Sequence, residues 1–174
     1  MRLNDKLTPI WGRRSIRVFV EAPLPDDVID DLLRAAMAAP SAGAKDPWRF
    51  VVVRQRETLN RLAELLPYGR MLATAGAGIV VCGDPAEAHD SQPGYLVQDC
   101  SAAIENVLIA AHLLGLGACW LGIYPREPRM AALRALLGIP TGVIPIGGIA
   151  IGRPGEQKEP RTRFDPRHVH HEHW

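Results

Sequence analysis

Cysteine is scarce in this 174-residue chain, and the three present, Cys82, Cys100 and Cys119, form no CxxC pair and leave an odd count. That argues against a disulfide framework and fits a reducing cytoplasm. An excess of one charge is also missing. Twenty basic residues against nineteen acidic ones give a net charge of +1, without the large basic excess of a general nucleic-acid binder. No GxGxxG lies between a strand and a helix and no Walker A lysine motif occurs, which disfavours a Rossmann NAD domain and a phosphate-loop NTPase. The opening MRLNDKLTPIWG has no apolar core of the kind a secretory signal needs. Long apolar runs are lacking too. The best membrane candidate, residues 107–124, is interrupted by His112, Gly115, Gly117 and Gly122, with Asp99, Glu105 and Asn106 just upstream. It reads as protein interior and not as a membrane span.

The length suits one domain with a buried core, residues 1–174, without repeats or a convincing linker before the tail. Residues 25–39, PDDVIDDLLRAAMAA, begin with Pro and acids, carry apolar residues at helical spacing and stop at Pro40, so a helix is expected. WRFVVV, residues 48–53, reads as a buried strand, residues 56–66 as a surface helix and GIVVC, residues 78–82, as a second strand. Residues 95–114 are helical and apolar nearly all round, the pattern of a helix buried on most of its circumference, for which a partner subunit would supply part of the cover. A turn and short strand over residues 115–124, a helix over 127–137 and a last strand over 145–151 complete the pattern. Residues 153–174 form a Pro-rich, charged extension. Helices interleaved with short strands favour an α/β sandwich over an all-helical fold.

Two basic clusters stand out. RRSIRVF places Arg13, Arg14, Ser15 and Arg17 within five residues. The planar guanidinium fork pairs with phosphate oxygens in two-point contacts, and a serine hydroxyl adds a short donor. Alone, the string also fits a solvated face or a nucleic-acid arm, the commoner uses of an arginine run. At the other end of the chain Arg161 and Arg163 alternate across EPRTRFD, so in an extended segment both point the same way. The two clusters make joint sense if the fold brings both ends of the chain to one dianion; otherwise each is a surface patch.

Three further segments complete the candidate chemistry. The small-residue loop Ala39, Pro40, Ser41, Ala42, Gly43 would let peptide groups approach a flat ligand, though a helix-to-strand turn explains an isolated PSAG as well. GLGACWLGIY brackets an apolar strand between glycines, with Trp120 readable as simple core. The tail histidines His168, His170, His171 and His173 are spaced as metal ligands can be, yet no acid cage beyond Glu172 accompanies them, so no metal site is assigned. Asp99 and Cys100 lack a partner at a nucleophile's spacing and read as structural.

The order and spacing of these pieces, RRSIRVF, APSAGAKDPW, GLGACWLGIY, PIGGIAIGRPGE and EPRTRFD, resemble the nitroreductase family of flavin mononucleotide (FMN) enzymes over nearly the whole chain. The resemblance implies an α+β fold: an α/β sandwich with a central mixed sheet flanked by helices and a domain-swapped C-terminal extension, residues 153–174, lying over the partner of a homodimer. It implies that Arg13, Arg14, Ser15, Arg17, Arg161 and Arg163 hold the FMN phosphate. It also places Pro40, Ser41, Ala42 and Ala44 against the flavin of the opposite subunit, and backbone amides of Leu121 and Gly122 near the reactive nitrogen. Where the family usually has an Asn and a Gln two residues apart, this chain has Ala44 and Asp46. The first removes a polar contact, and the second brings a negative charge that disfavours reduced anionic flavin unless it turns away or is paired.

The expected activity is that of an FMN-dependent oxidoreductase. NADH or NADPH, as a visiting substrate, gives hydride to FMN and leaves, and a nitro compound, quinone, flavin or enone then takes the electrons in a ping-pong cycle. The isoalloxazine supplies the chemistry, so no side chain is assigned as acid, base or nucleophile. The alternatives are a flavin-binding or sensing protein with little turnover, suggested by Ala44 and Asp46, and a specialised reductive branch of the same fold. The latter usually carries a lid for which residues 85–94 leave little room. Neither nucleic acid nor a membrane is expected as a partner, and the cytoplasm is the expected location.

Overall fold

In the computed structural model, residues 4–174 are described. Five strands form one sheet: β1 (Phe19–Val20), β2 (Trp48–Val53), β3 (Ala77–Gly83), β4 (Gly117–Gly122) and β5 (Ile144–Pro154). The eleven-residue β5 is the spine. β3 pairs along one of its edges and carries β2 outside it, while β4 and β1 share the other edge. All pairings between these strands are antiparallel. The mixed sheet implied by the resemblance is therefore corrected: parallel pairing among the described residues is confined to a single bridge, Ser15 to Ala118. The physical reason is that each neighbour of β5 runs against it, so the chain needs no parallel crossover within the sheet.

The sheet is covered on both faces by helices α1 (Thr8–Gly12), α2 (Asp26–Met37), α3 (Arg56–Leu65), α4 (Pro93–Leu113) and α5 (Glu127–Leu137). Because successive strand residues face opposite ways, β3 sends Ile79 and Val81 to one core and Val80 and Cys82 to the other. The first core joins the sheet to α2 and α4 through Leu32, Leu96, Ile104 and Val107, all fully buried. The second joins it to α3 and α5 through Leu59, Leu62 and Leu133. These layers make the α+β sandwich that the sequence implies.

α4 buries Leu96, Cys100, Ala103, Ile104, Val107, Leu108 and Ala111 against its own chain, a single helical stripe. Of its other apolar residues, Tyr95 and Leu113 are exposed, while Val97, Ala102, Ile109 and Ala110 are half-buried. The two ends of the chain meet beside β4. Ile16 is buried, and its backbone N–H donates to the Ala118 carbonyl at 3.0 Å. The close approach depends on Gly117, where a Cβ would lie 2.7 Å from Ile16 Cγ2. With Ile16 facing in, an extended backbone turns Ser15 and Arg17 outward together.

Candidate functional site

The N-terminal segment and the C-terminal extension are laced together. The carboxylate of Glu156 accepts the backbone N–H of Arg17 at 2.6 Å and that of Val18 at 3.3 Å. Lys158 Nζ donates to the Ser15 carbonyl at 2.8 Å and pairs with Glu156 at 2.9 Å. Arg14 donates to the Glu159 carbonyl, and the Arg161 backbone N–H donates to the Trp11 carbonyl at 3.1 Å. The backbone hydrogen bond from Arg17, followed by the bond from Lys158, holds the Glu156 carboxyl below its usual range.

The result is a cleft of about 480 Å³ lined by Arg13, Arg14, Ser15, Arg17, Lys158, Arg161 and Arg163, with Ile10 as its one apolar member. No acid lines it. Arg13 is steadied from outside by Glu105 at 3.1 Å, whereas among the described residues Arg17, Arg161 and Arg163 enter no ion pair. A set of charged forks with one hydroxyl, whose only paired members among the described residues, Arg13 and Lys158, meet carboxylates outside the lining, suits a phosphate dianion. The donor set therefore fits the phosphate end of FMN.

Next to the cleft, and sharing Arg17 with it, is a slot of about 230 Å³ lined by Leu66, Pro67, Tyr68, Cys119, Trp120, Leu121, Gly122 and Arg129. Its walls are mainly apolar and its cations are the two arginines. Leu121 is buried in the sheet and Gly122 is exposed at the strand end, where its carbonyl accepts from Arg129 Nη1 at 2.8 Å.

Pro40, Ser41, Ala42 and Ala44 line neither space. Their loop sits at the end of α2, where the Ala42 N–H donates to Oδ1 of the buried Asp99 at 3.0 Å. Oδ2 of Asp99 has no hydrogen-bond partner among the described residues. Among the described residues the Asp46 carboxylate enters no ion pair, and Arg49 Nη1 reaches only the Asp46 backbone carbonyl, at 3.5 Å; the Ser41 hydroxyl donates to the carboxylate at 2.5 Å and accepts the Asp46 N–H at 3.0 Å. Ala44 and Asp46 both hold left-handed backbone, with φ of 51° and 50°. One chain thus gathers Arg13, Arg14, Ser15, Arg17, Arg161 and Arg163 in the cleft and sets Leu121 and Gly122 in the adjoining slot, and leaves the 40–44 loop apart.

Sequence reasoning missed Lys158, Glu156, Tyr68 and Arg129. The first two carry a weak signal, since Glu156 and Lys158 alternate in the same Pro-rich segment that holds Arg161. Tyr68 and Arg129 carry none, because their approach to β4 is a product of tertiary packing. The three thiols are free and buried. Burial pushes Cys82 and Cys100 up to about 12 and also raises Cys119, so none is poised as a nucleophile. Among the described residues no group of three or more His, Cys, Asp and Glu is arranged to hold a metal. His170 stacks on Trp174 at 4.3 Å. No helix among the described residues is long and apolar enough to cross a membrane.

A two-faced sandwich whose chain ends build a cationic cleft with no acid in its lining beside an apolar slot defines a class of protein whose site suits a phosphorylated, partly apolar ligand. The comparisons narrow the class. The model of the "Nitroreductase family" matches residues 10–67 and 63–153. A protein of Archaeoglobus fulgidus, provisionally named NADH dehydrogenase/NAD(P)H nitroreductase, is 47% identical over 99% of this chain and 100% of its own length. A crystal structure from Parabacteroides distasonis under the same provisional name superposes with a TM-score of 0.92 at 37% identity, covering 99% of this chain and 100% of that one. A provisionally named nitroreductase from Desulfovibrio desulfuricans, solved in complex with FMN, superposes with a TM-score of 0.83 at 28% identity, covering 99% of each chain. The chain belongs to the nitroreductase family.

Proposed function

We propose that this protein is an FMN-dependent NAD(P)H oxidoreductase that passes electrons to an organic acceptor, a nitro compound, quinone, flavin or enone, by a ping-pong cycle. The observation that carries the reading is the convergence of six cations from both ends of the chain on one cleft with no acid in its lining, opening through Arg17 onto the slot at Leu121 and Gly122. The FMN named in the Desulfovibrio complex and the NAD(P)H in the Archaeoglobus relative's name point the same way.

In this reading the arginines, Lys158 and Ser15 hold the phosphate, and the end of β4 takes the edge of the ring system through the peptide groups of Leu121 and Gly122. Bound FMN would supply the hydride chemistry, accepting from the nicotinamide and donating to the acceptor. The chain's part is binding, orientation and exclusion of water. The loop of Pro40, Ser41, Ala42 and Ala44, remote from the cleft of its own chain, is assigned to the site of a second copy. A homodimer follows from that assignment, and the half-buried and exposed apolar residues of α4 and the extension from residue 153 onward are its contact surfaces. The Ser41–Asp46 pair keeps the Asp46 charge inside its own loop, which favours the enzyme over a flavin sensor that has lost turnover.

The test is steady-state NAD(P)H oxidation by the protein as purified, with the released cofactor identified by chromatography. FMN together with turnover on a quinone or nitroaromatic is the expected result. Bound FMN without NAD(P)H oxidation would leave a flavin-binding protein, and the absence of any flavin would remove the reading altogether.

A further inference from the structure

We infer that the slot beside the cation cleft selects an acceptor carrying a carboxylate or similar anion, and that Arg129 is the residue that selects it. The inference rests on reading the slot as the place where flavin ring and acceptor meet. Its lining holds Tyr68, Trp120 and Leu121 as apolar wall, Arg17 and Arg129 as cations, and no acid. An apolar pocket with few convergent polar groups takes its specificity from those groups, and here the charged ones are all positive.

Arg129 is not explained by its helix. It lies in the first turn of α5, where a cation opposes the helix dipole. The acid of that turn, Glu127, pairs with Arg134 at 3.3 Å, and among the described residues no carboxylate pairs with Arg129. Among the described residues its side chain makes one hydrogen bond, Nη1 to the Gly122 carbonyl at 2.8 Å. That bond holds the guanidinium beside Gly122 in the slot's lining and leaves most of its five donors unused. A half-buried planar fork against apolar walls is a carboxylate receptor. The competing role is a brace for the end of β4, which needs one N–H donor and no charge.

The experiment titrates the purified protein calorimetrically with 4-nitrobenzoate and with 4-nitrobenzamide, which share ring and nitro group but differ in charge, and records the flavin absorbance of the same samples. The wild type is expected to bind the benzoate roughly tenfold tighter. Arg129→Gln keeps an N–H for the Gly122 carbonyl and should bring the preference to about twofold or less with amide binding unchanged. Arg129→Lys, which keeps the charge, should retain most of the preference. Equal affinity of the two probes for the wild type, an unchanged preference in Arg129→Gln, or equal loss of both probes would each overturn the inference. Flavin present with no preference sinks this inference and leaves the proposed function standing. A preference that needs Arg129 in protein without flavin does the reverse.

Discussion

The carboxylate of Glu156 accepts the backbone N–H of Arg17 at 2.6 Å, across 139 residues of sequence. With Lys158 bridging from the same carboxylate to the Ser15 carbonyl, this contact fixes the distance between the two basic clusters. The bonds from Arg14 to the Glu159 carbonyl and from the Arg161 N–H to the Trp11 carbonyl, with the pairing of Phe19 and Pro154, add ties between the same two segments.

Glu156→Ala should therefore weaken FMN binding by roughly tenfold, since it orphans the N–H groups of Arg17 and Val18 and removes the partner of Lys158. The pH dependence has a definite sign. The folded carboxyl titrates below its ordinary range, so its contribution is complete above that range and is lost as pH falls through the lowered folded value. Flavin retention in the wild type should hold through neutral and mildly acidic pH and fall at the acid end, with Glu156→Ala weaker at neutral pH and the two converging where the carboxyl is protonated. Fluorescence of released FMN against pH measures both, and an identical profile in the variant would show that the tie is idle.

Arg17→Ala and Arg163→Ala should each lower FMN affinity by about 2 kcal/mol, roughly thirtyfold, through loss of charge-assisted hydrogen bonds to the phosphate. Both side chains are exposed and enter no ion pair among the described residues, so circular dichroism should report an unchanged fold. Titration of apo-protein with FMN gives the affinities. Wild-type binding in both variants would dissolve the shared socket.

Ala44→Gly should stabilise the protein. Ala44 is held at φ 51°, a region where a Cβ costs on the order of 1 kcal/mol and glycine is at ease. The melting temperature should rise by about 2–4 °C. A fall would mean that the Ala44 methyl makes a contact worth more than the strain.

Ala44 also shows where the sequence stops being legible. The sequence marks Ala44 as a lost flavin contact, but says nothing of the left-handed backbone that the residue must adopt. Helices α2, α3, α4 and α5 and strands β2 and β3 are readable because their periodicity is local. β5 runs on to Pro154 because Phe19 pairs with it there, and that pairing leaves no local mark. The basic clusters are legible as residues, whereas the Glu156 tie that joins them depends on a contact across most of the chain. Arg129 is silent for the same reason: the helix pattern of α5 does not reveal that its first turn folds back on Gly122.

The thiols should be inert in the folded protein. With Cys82 and Cys100 pushed up to about 12 by burial, the thiolate fraction at pH 8 is on the order of one in ten thousand. Cys119 is raised by burial as well. A chromogenic disulfide reagent should label no cysteine within minutes in the native protein and three after unfolding in urea. Rapid labelling of the native state would mean that a core opens around one of them.

Deletion of residues 160–174 should lower FMN occupancy and dimer stability together. The Arg161 N–H bond to Trp11 is the last backbone hydrogen bond that ties the extension to the rest of the chain among the described residues; beyond it the backbone bonds stay within the extension itself. Phe164 and Val169 are exposed there, and Trp174 is completely so. Three large apolar side chains on a segment without a core have no reason to be ordered alone, and burying each against a second copy is worth about 1.5–3 kcal/mol. The same deletion removes Arg161 and Arg163 from the cleft. Arg161→Ala/Arg163→Ala in the full-length chain separates the two effects, since it should lower occupancy while leaving the sedimentation of the dimer unchanged. A truncated protein that sediments as a dimer with stoichiometric FMN would exclude both the wrapping extension and the phosphate role of its two arginines.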